Sequence, residues 1–492
     1  EDHESTRVCL LSLDTIGNPR KFSRIARRLT RRKPVVVFAP GRTHRSAHAG
    51  VRGGLGHAPD EAVDALFRQA GVTVVHRRGA MFDIAKIASR QPLPSGLRVQ
   101  IITNSATLAQ QLMHTVRAVG MLGGEPVVLG SEASAEAFAD ATRAALADER
   151  NDSVVCTAVG VFEDGTEGVR SAVERIAAGS TKPVVGVFLD FTAREDARSD
   201  PDTVGCLPTF DAPADAIHAL SALTAYAHWR DRDPGAVPLI GVDELSAKRV
   251  VNRVISATPG GRELTDTETI ELLGAYGINP VRRYLVETLA EAIAAAEELG
   301  WDVVLKASAH AVRGRPDLAS VYRNIETVEG MAAAWSELGQ LVAELGLGDG
   351  DPAVAVPVVQ KMAPPGVALV IASREDAAFG PIISLGLEGV ASELLGDTVY
   401  RVPPLTTADA AAMVRDLRAA PTLFGWHGSP GVDIEAVEDV LHRVAQLADH
   451  LPQLAELVLS PCIASTSGVS VLGARVLVAP TGDQRDPMAR TL

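Results

Sequence analysis

The sequence predicts a multi-domain α/β protein, with parallel sheets in its first half and a separate mixed block after residue 241. Three observations lead there. Apolar strands alternate with helical spans from residue 7 to about residue 235. Those strands are continuous Val/Ile/Leu runs, as expected where helices cover both faces of a sheet. The length of 492 residues exceeds what one hydrophobic core normally organises.

The first block, residues 1–95, opens on the strand Val8-Cys9-Leu10-Leu11, then a helix from Phe22 to Arg32 and the strand Pro34-Val35-Val36-Val37-Phe38. A second helix runs from Asp60, placed to cap it, to Ala70, with Gly71 as its stop. The second block, residues 96–235, has strands at Val99–Ile102, Pro126–Leu129, Val154–Val159 and Pro183–Leu189. Trp229 to Gly241, with Pro234, Gly235 and Pro238, reads as a linker. The third block, 242–492, shows its pattern best between Leu264 and Lys306. Thr265 and Glu268 form a capping box and Gly277 ends that region. An alanine-rich helix from Ala290 to Leu299 stops at Gly300, and Val303-Val304-Leu305 is a short strand.

Lys306 therefore ends a strand buried on at least one side. Burying an unpaired ammonium is costly, so Lys306 has to find an anion or reach solvent. Farther on, Val358-Val359-Gln360-Lys361-Met362 is a strand running into the turn Ala363-Pro364-Pro365-Gly366.

Composition excludes several classes. Hydrophobic residues are 46% and charged residues 22%, ordinary for a globular protein. No apolar run reaches the roughly 18 residues of a membrane helix, and no signal segment opens the chain. Cys9, Cys156, Cys206 and Cys462 are too dispersed for a metal site and read as reduced residues of a cytoplasmic protein. A net charge of −14 and 4% aromatic residues argue against a nucleic-acid partner.

A strand-borne lysine with a following edge strand carrying Gln-x-Met resembles the nucleotide cleft of an ATP-grasp domain. The resemblance implies that Lys306 meets phosphate and that the Gln360 to Met362 backbone, with Lys361, meets adenine. Leu13-Asp14-Thr15-Ile16-Gly17-Asn18-Pro19, Arg31-Arg32-Lys33-Pro34, Asp64-Ala65-Leu66-Phe67 and Gln91-Pro92-Leu93-Pro94 occur in an order that resembles the NDP-forming acyl-CoA synthetases, relatives of succinyl-CoA synthetase. Phe379-Gly380-Pro381, Glu393-Leu394-Leu395-Gly396-Asp397, Pro403-Pro404-Leu405 and Arg418-Ala419-Ala420-Pro421 resemble the same family's ATP-grasp half. The fold implied is two flavodoxin-like CoA-ligase subdomains followed by an ATP-grasp domain. Leu423-Phe424-Gly425-Trp426 and Val471-Leu472-Gly473-Ala474-Arg475 look like the actinobacterial fusions of such a synthetase to a GNAT-type acetyltransferase. On this resemblance a CoA-binding Rossmann domain precedes residue 1, and the chain is expected to be part of a longer polypeptide.

The family passes phosphate from ATP to a histidine, then to the acid, and CoA attacks the acyl phosphate. In the histidine's place stands Ala49-Gly50-Val51-Arg52-Gly53-Gly54-Leu55-Gly56, with Arg52 nearest in register and His44, His48 and His57 nearby. Their plain reading is solvated loop histidines. The glutamate that supports the phosphohistidine falls at Asp14. The family's Mg²⁺ ligands fall on Val458-Leu459-Ser460-Pro461 and on Gly473, which together supply no carboxylate. After Lys306, Arg313, Arg315 and Asp317 are candidate phosphate-loop residues, while Ala319 and Ser320 replace a glycine pair. Glu393 completes the set of nucleotide candidates.

Two weaker signals have plain readings. Lys21, Arg24, Arg27, Arg28, Arg31, Arg32 and Lys33 make the solvated face of an amphipathic helix. Asn104-Ser105-Ala106-Thr107 opens a helix where anions can bind, without the glycines of relatives. The leading expectation is a degenerate synthetase module that binds ATP or ADP, or CoA or acetyl-CoA, and regulates a linked lysine acetyltransferase. A working ADP-forming acetate–CoA ligase and a structural scaffold with an empty cleft are the alternatives, and the oligomeric state stays open.

Overall fold

The computed structural model describes residues 2–13, 19–39, 60–160, 166–190, 207–307, 321–344, 356–376 and 380–480, with the side chains at 19, 20, 60, 390, 391 and 393 left aside. Two compact units divide the chain. One spans Glu1–Pro234, the other Gly235–Asp376 and Gly380–Asp483.

The first unit carries two parallel sheets. β1 (Cys9–Ser12), β2 (Val35–Phe38) and β3 (Thr73–Val75) lie in that order, with α1 (Pro19–Thr30), α2 (Asp60–Gln69) and α3 (Arg78–Arg90) between or after them. The second sheet holds β4 (Arg98–Thr103), β5 (Leu122–Gly123), β6 (Val127–Val128), β7 (Ser153–Gly160), β8 (Val184–Asp190) and β9 (Thr209–Phe210). Its order is β5-β4-β7-β8-β9, with β6 also against β4. Counting β5 and β6 as one position, this is the 2-1-3-4-5 order of flavodoxin-like sheets. α4 (Ala106–Ala118), α5 (Ala135–Ala147), α6 (Glu167–Ala177) and α7 (Pro213–Asp231) complete it.

Both sheets share one core. Val36, Met81, Ile84 and Ile87 pack with Val99, Ile101, Leu112, Leu220 and Leu223. The continuous β-branched strands predict this, since β7 reads buried from Ser153 to Ala158. The expected linker from Trp229 begins too early, because α7 runs on to Asp231. Packing decides the matter: the Trp229 ring lies against Gly71, and the Arg31 guanidinium stacks on it at 4.6 Å.

The second unit has two antiparallel sheets. The smaller runs β11 (Arg283–Leu285), β14 (Pro357–Lys361), β12 (Val303–Ala307), β13 (Val321–Ile325). One face of it packs on α10 (Leu289–Leu299) and α11 (Val328–Glu344), where Val303, Leu305 and Val359 meet Ala292, Ala296, Met331 and Leu338. The larger sheet runs from β10 (Arg262–Glu263) through β20 (Ala474–Val478), β18 (Leu454–Ser465), β15 (Val367–Asp376) and β16 (Gly380–Leu387) to β17 (Thr398–Arg401), with β19 (Gly468–Val471) on β18. Its core joins Leu369, Ile371, Leu457 and Leu459 to Val250 and Val254 of α8 (Glu244–Ala257) and to Leu441 and Val444 of the helix Ile434–His450. The predicted capping box is present at the start of α9 (Asp266–Gly274). Gly300 ends α10 in the left-handed conformation, φ +80°.

Candidate functional site

Strand pleating sorts the polar residues of the small sheet. Val303, Leu305 and Val359 point to the helices, so Lys306 and Gln360 point to the other face. In register, Lys306 sits opposite Val358 and Gln360 opposite Val304, which makes Lys306 and Gln360 diagonal neighbours. Lys306 Nζ donates to Gln360 Oε1 at 2.7 Å. Gln360 is only 2% exposed, and its Nε2 donates to Val281 O at 2.9 Å and to Leu472 O at 3.0 Å. Every hydrogen of that amide group and its oxygen are thus matched, as a buried amide requires. The arrangement presents a half-buried ammonium on the sheet face away from α10 and α11. Chemically, such a group recognises an anion.

One expectation about β14 needs correction. The strand is interior, flanked by β11 and β12, and was expected at an edge. Gln360 faces Arg283 on one side and Val304 on the other, and Met362 N donates to Asp302 O at 3.0 Å, so these backbone groups are already engaged in the sheet. The Lys361 side chain lies on the opposite face from Lys306 and Gln360. Alternation puts its side chain on the helical face, where Nζ donates to Trp301 O at 2.6 Å and Gly300 O at 3.4 Å, at the end of α10. Trp301 and Asp302 both have φ of +52°, an uncommon backbone for residues with a Cβ, and Lys361 braces that turn.

The positions expected to carry metal ligands do not fit a divalent ion. Gly473 lies against β18: Ser460 N donates to Gly473 O at 3.0 Å, and a Cβ built on Gly473 would stand 2.3 Å from Ser460 O. A carboxylate cannot occupy this backbone position without moving the strand, and Val458 offers no oxygen. Among the described residues no group of three or more His, Cys, Asp and Glu could hold a metal ion.

Other candidates are dispersed. Asp14, His44, His48, Arg52, His57, Arg313, Arg315 and Asp317 lie outside the described residues, and Glu393 is described only as a position in the helix Val390–Leu395. In the first unit, the Asn104 amide exchanges two 2.9 Å bonds with the backbone of Val159, and Ser105 caps α4 through Leu108 N. Asn104 therefore ties β4 to β7 at their carboxyl ends. Of the basic run, Arg31 donates to Arg230 O and Arg232 O and Arg32 pairs with Asp2. Burial pushes the Cys156 and Cys462 thiols up to about 12, consistent with unreactive core residues. The Gln360 side chain is what sequence reasoning missed. The available signal was a polar residue within a buried valine strand, which must have partners.

Residues 256–478 match an ATP-grasp domain family, and residues 1–88 match a succinyl-CoA ligase like flavodoxin domain family. Together these matches and the sheet orders define a protein of the CoA-ligase class. The chain is 28% identical to acetate–CoA ligase [ADP-forming] I of Archaeoglobus fulgidus over 96% of this chain and 70% of the relative. It is 30% identical to the beta subunit of acetate–CoA ligase [ADP-forming] II of Pyrococcus furiosus, over 47% of this chain and 98% of that subunit. The chain belongs to the ADP-forming acyl-CoA ligase family. A solved dinucleotide forming acetyl-coenzyme A synthetase 1 of Ca. Korarchaeum cryptofilum, in complex with coenzyme A, Ca-AMPCP and HgCl⁺, is 32% identical. That match covers 46% of this chain and 98% of the other, with a TM-score of 0.41. No described helix is long and apolar enough to cross a membrane.

Proposed function

We propose that this chain is a ligase-family module that binds ATP or ADP, and CoA or acetyl-CoA, without completing acid–CoA ligation. One observation carries the reading: the cleft lysine Lys306 is kept and held by Gln360, while Gly473 closes the position where a metal ligand would stand. Binding is retained and the phosphoryl-transfer machinery is reduced. The second part of the reading is regulatory, with a CoA-binding Rossmann domain and a GNAT-type lysine acetyltransferase on the same polypeptide. Its support is the likeness of Leu423–Trp426 and Val471–Arg475 to such fusions. Dispersed cysteines, with Cys156 and Cys462 buried, support a cytoplasmic setting.

Calorimetry with ATP, ADP and acetyl-CoA, beside an assay for phosphohistidine after exposure to ATP, tests the binding part. Saturable binding with no phosphohistidine supports the module; no response to any of the three ligands overturns it. The regulatory part requires that lysine acetylation by the uncut polypeptide change with nucleotide or acyl-CoA; an uncut polypeptide without an acetyltransferase domain overturns it. The second reading is a working ADP-forming acid–CoA ligase, favoured by an alignment to an acetate–CoA ligase along 96% of this chain. Phosphohistidine formation would select it.

A further inference from the structure

We infer that Gln360 is a positioning residue for anion binding, acting through Lys306 and coupling it to the turn that precedes β20. The inference rests on the nucleotide-binding reading of this cleft and deepens it. Gln360 lies on β14, yet its amide reaches two carbonyls from elsewhere: Val281, just before β11, and Leu472, between β19 and β20. Those two segments are themselves joined, since Val281 N donates to Val471 O at 2.8 Å and Leu472 N donates to Pro461 O at 2.9 Å. The small sheet and the β18–β20 corner of the large sheet are thus tied at one side chain.

The direction of the amide follows from its surroundings. Rotated by half a turn, its oxygen would face two carbonyl oxygens and its NH₂ would face an ammonium. Neither contact is attractive, so Oε1 must point at Lys306. The carbonyls of Val281 and Leu472 therefore dictate where the lysine's neutral acceptor stands. A neutral acceptor has a consequence that a carboxylate would not. It holds the ammonium without setting a negative charge of its own beside a phosphate. Displacement of the Leu472 carbonyl would release Gln360, and with it Lys306.

The test is a double-mutant cycle by calorimetry on the full chain, with ATP and adenosine as probes. Gln360→Met keeps the volume and removes all three hydrogen bonds. We expect it to weaken ATP about tenfold while adenosine affinity stays within about twofold, because only phosphate meets Lys306. In a Lys306→Ala background the same change should have no further effect on ATP, the signature of acting through the lysine. If Gln360→Met does not fold, Gln360→Glu serves instead. It retains an acceptor for Lys306 but supplies a counter-charge, and ATP should again weaken more than adenosine. Equal losses for ATP and adenosine, or additive losses with Lys306→Ala, overturn the inference while leaving nucleotide binding intact. Failure of the unaltered chain to bind ATP overturns both.

Discussion

At the residue scale, two lysines that look alike in the sequence have opposite roles. Lys306 and Lys361 lie on neighbouring strands, but pleating sends one to the face away from α10 and α11 and the other to the helical face. Lys306→Ala is expected to weaken ATP binding about tenfold to a hundredfold, the effect of losing one charge-assisted bond of about 1.5–3 kcal/mol. Lys361→Met should leave ATP affinity unchanged and lower stability by about 1–2 kcal/mol, since the carbonyls of Gly300 and Trp301 lose their donor. Calorimetry and urea unfolding separate the two; a Lys361→Met variant with impaired ATP binding would contradict the face assignment. Gly473 gives a third residue-level expectation. Gly473→Ala places a Cβ 2.3 Å from Ser460 O, and the forced movement of β18 should cost about 1–3 kcal/mol, read from the urea midpoint.

Elements were legible where the determining forces are local. The capping box at Thr265, the stop at Gly300 and the valine strands of the first unit all appear where their residues predict them. The interior place of β14 was not legible, because a strand does not encode which neighbours it pairs with. The Gln360 network lay further out of reach, with partners 54, 79 and 112 residues away in the chain. The start of α9 makes a quantitative prediction at this scale. Arg262 donates to both oxygens of Glu268 at 2.8 Å, and Thr265 N donates to the same carboxylate. The Arg262 bonds, more than any other factor, lower the Glu268 carboxyl from its ordinary 4.5 to about 2. A depressed folded-state value stabilises the fold above the unfolded value and loses that effect on acidification. The contribution is therefore complete above about pH 4.5 and vanishes towards pH 2. Urea midpoints of the unaltered chain and Glu268→Gln should differ at pH 7 and converge across that window; a gap independent of pH would remove the ion pair as its cause.

For the molecule as a whole, the question is whether its parts add up to turnover. The first unit supplies a flavodoxin-order sheet whose strands β4 and β7 are tied at their carboxyl ends by Asn104, and the second supplies the Lys306–Gln360 pair. Ligation also requires charge neutralisation on the transferred phosphoryl group, ordinarily several kcal/mol of transition-state stabilisation from a metal and preorganised donors. Val458, Ser460 and Gly473 supply no carboxylate for it, and the Gly473 backbone leaves no room to add one. A deficit of several kcal/mol is roughly two to four orders of magnitude in rate at about 1.4 kcal/mol per decade. From a typical turnover of about 10 per second, ADP release by the protein with ATP, acetate, CoA and magnesium should fall to about 0.1 per second or below. The same preparation should still bind ATP by calorimetry, so that low turnover is not mistaken for an unfolded sample. Magnesium-dependent ADP release near one per second, requiring both acetate and CoA, would make the chain a working ligase. If that activity also survived replacement of His44, His48 and His57 together, the phosphate carrier would have to be sought outside the Ala49–Gly56 neighbourhood.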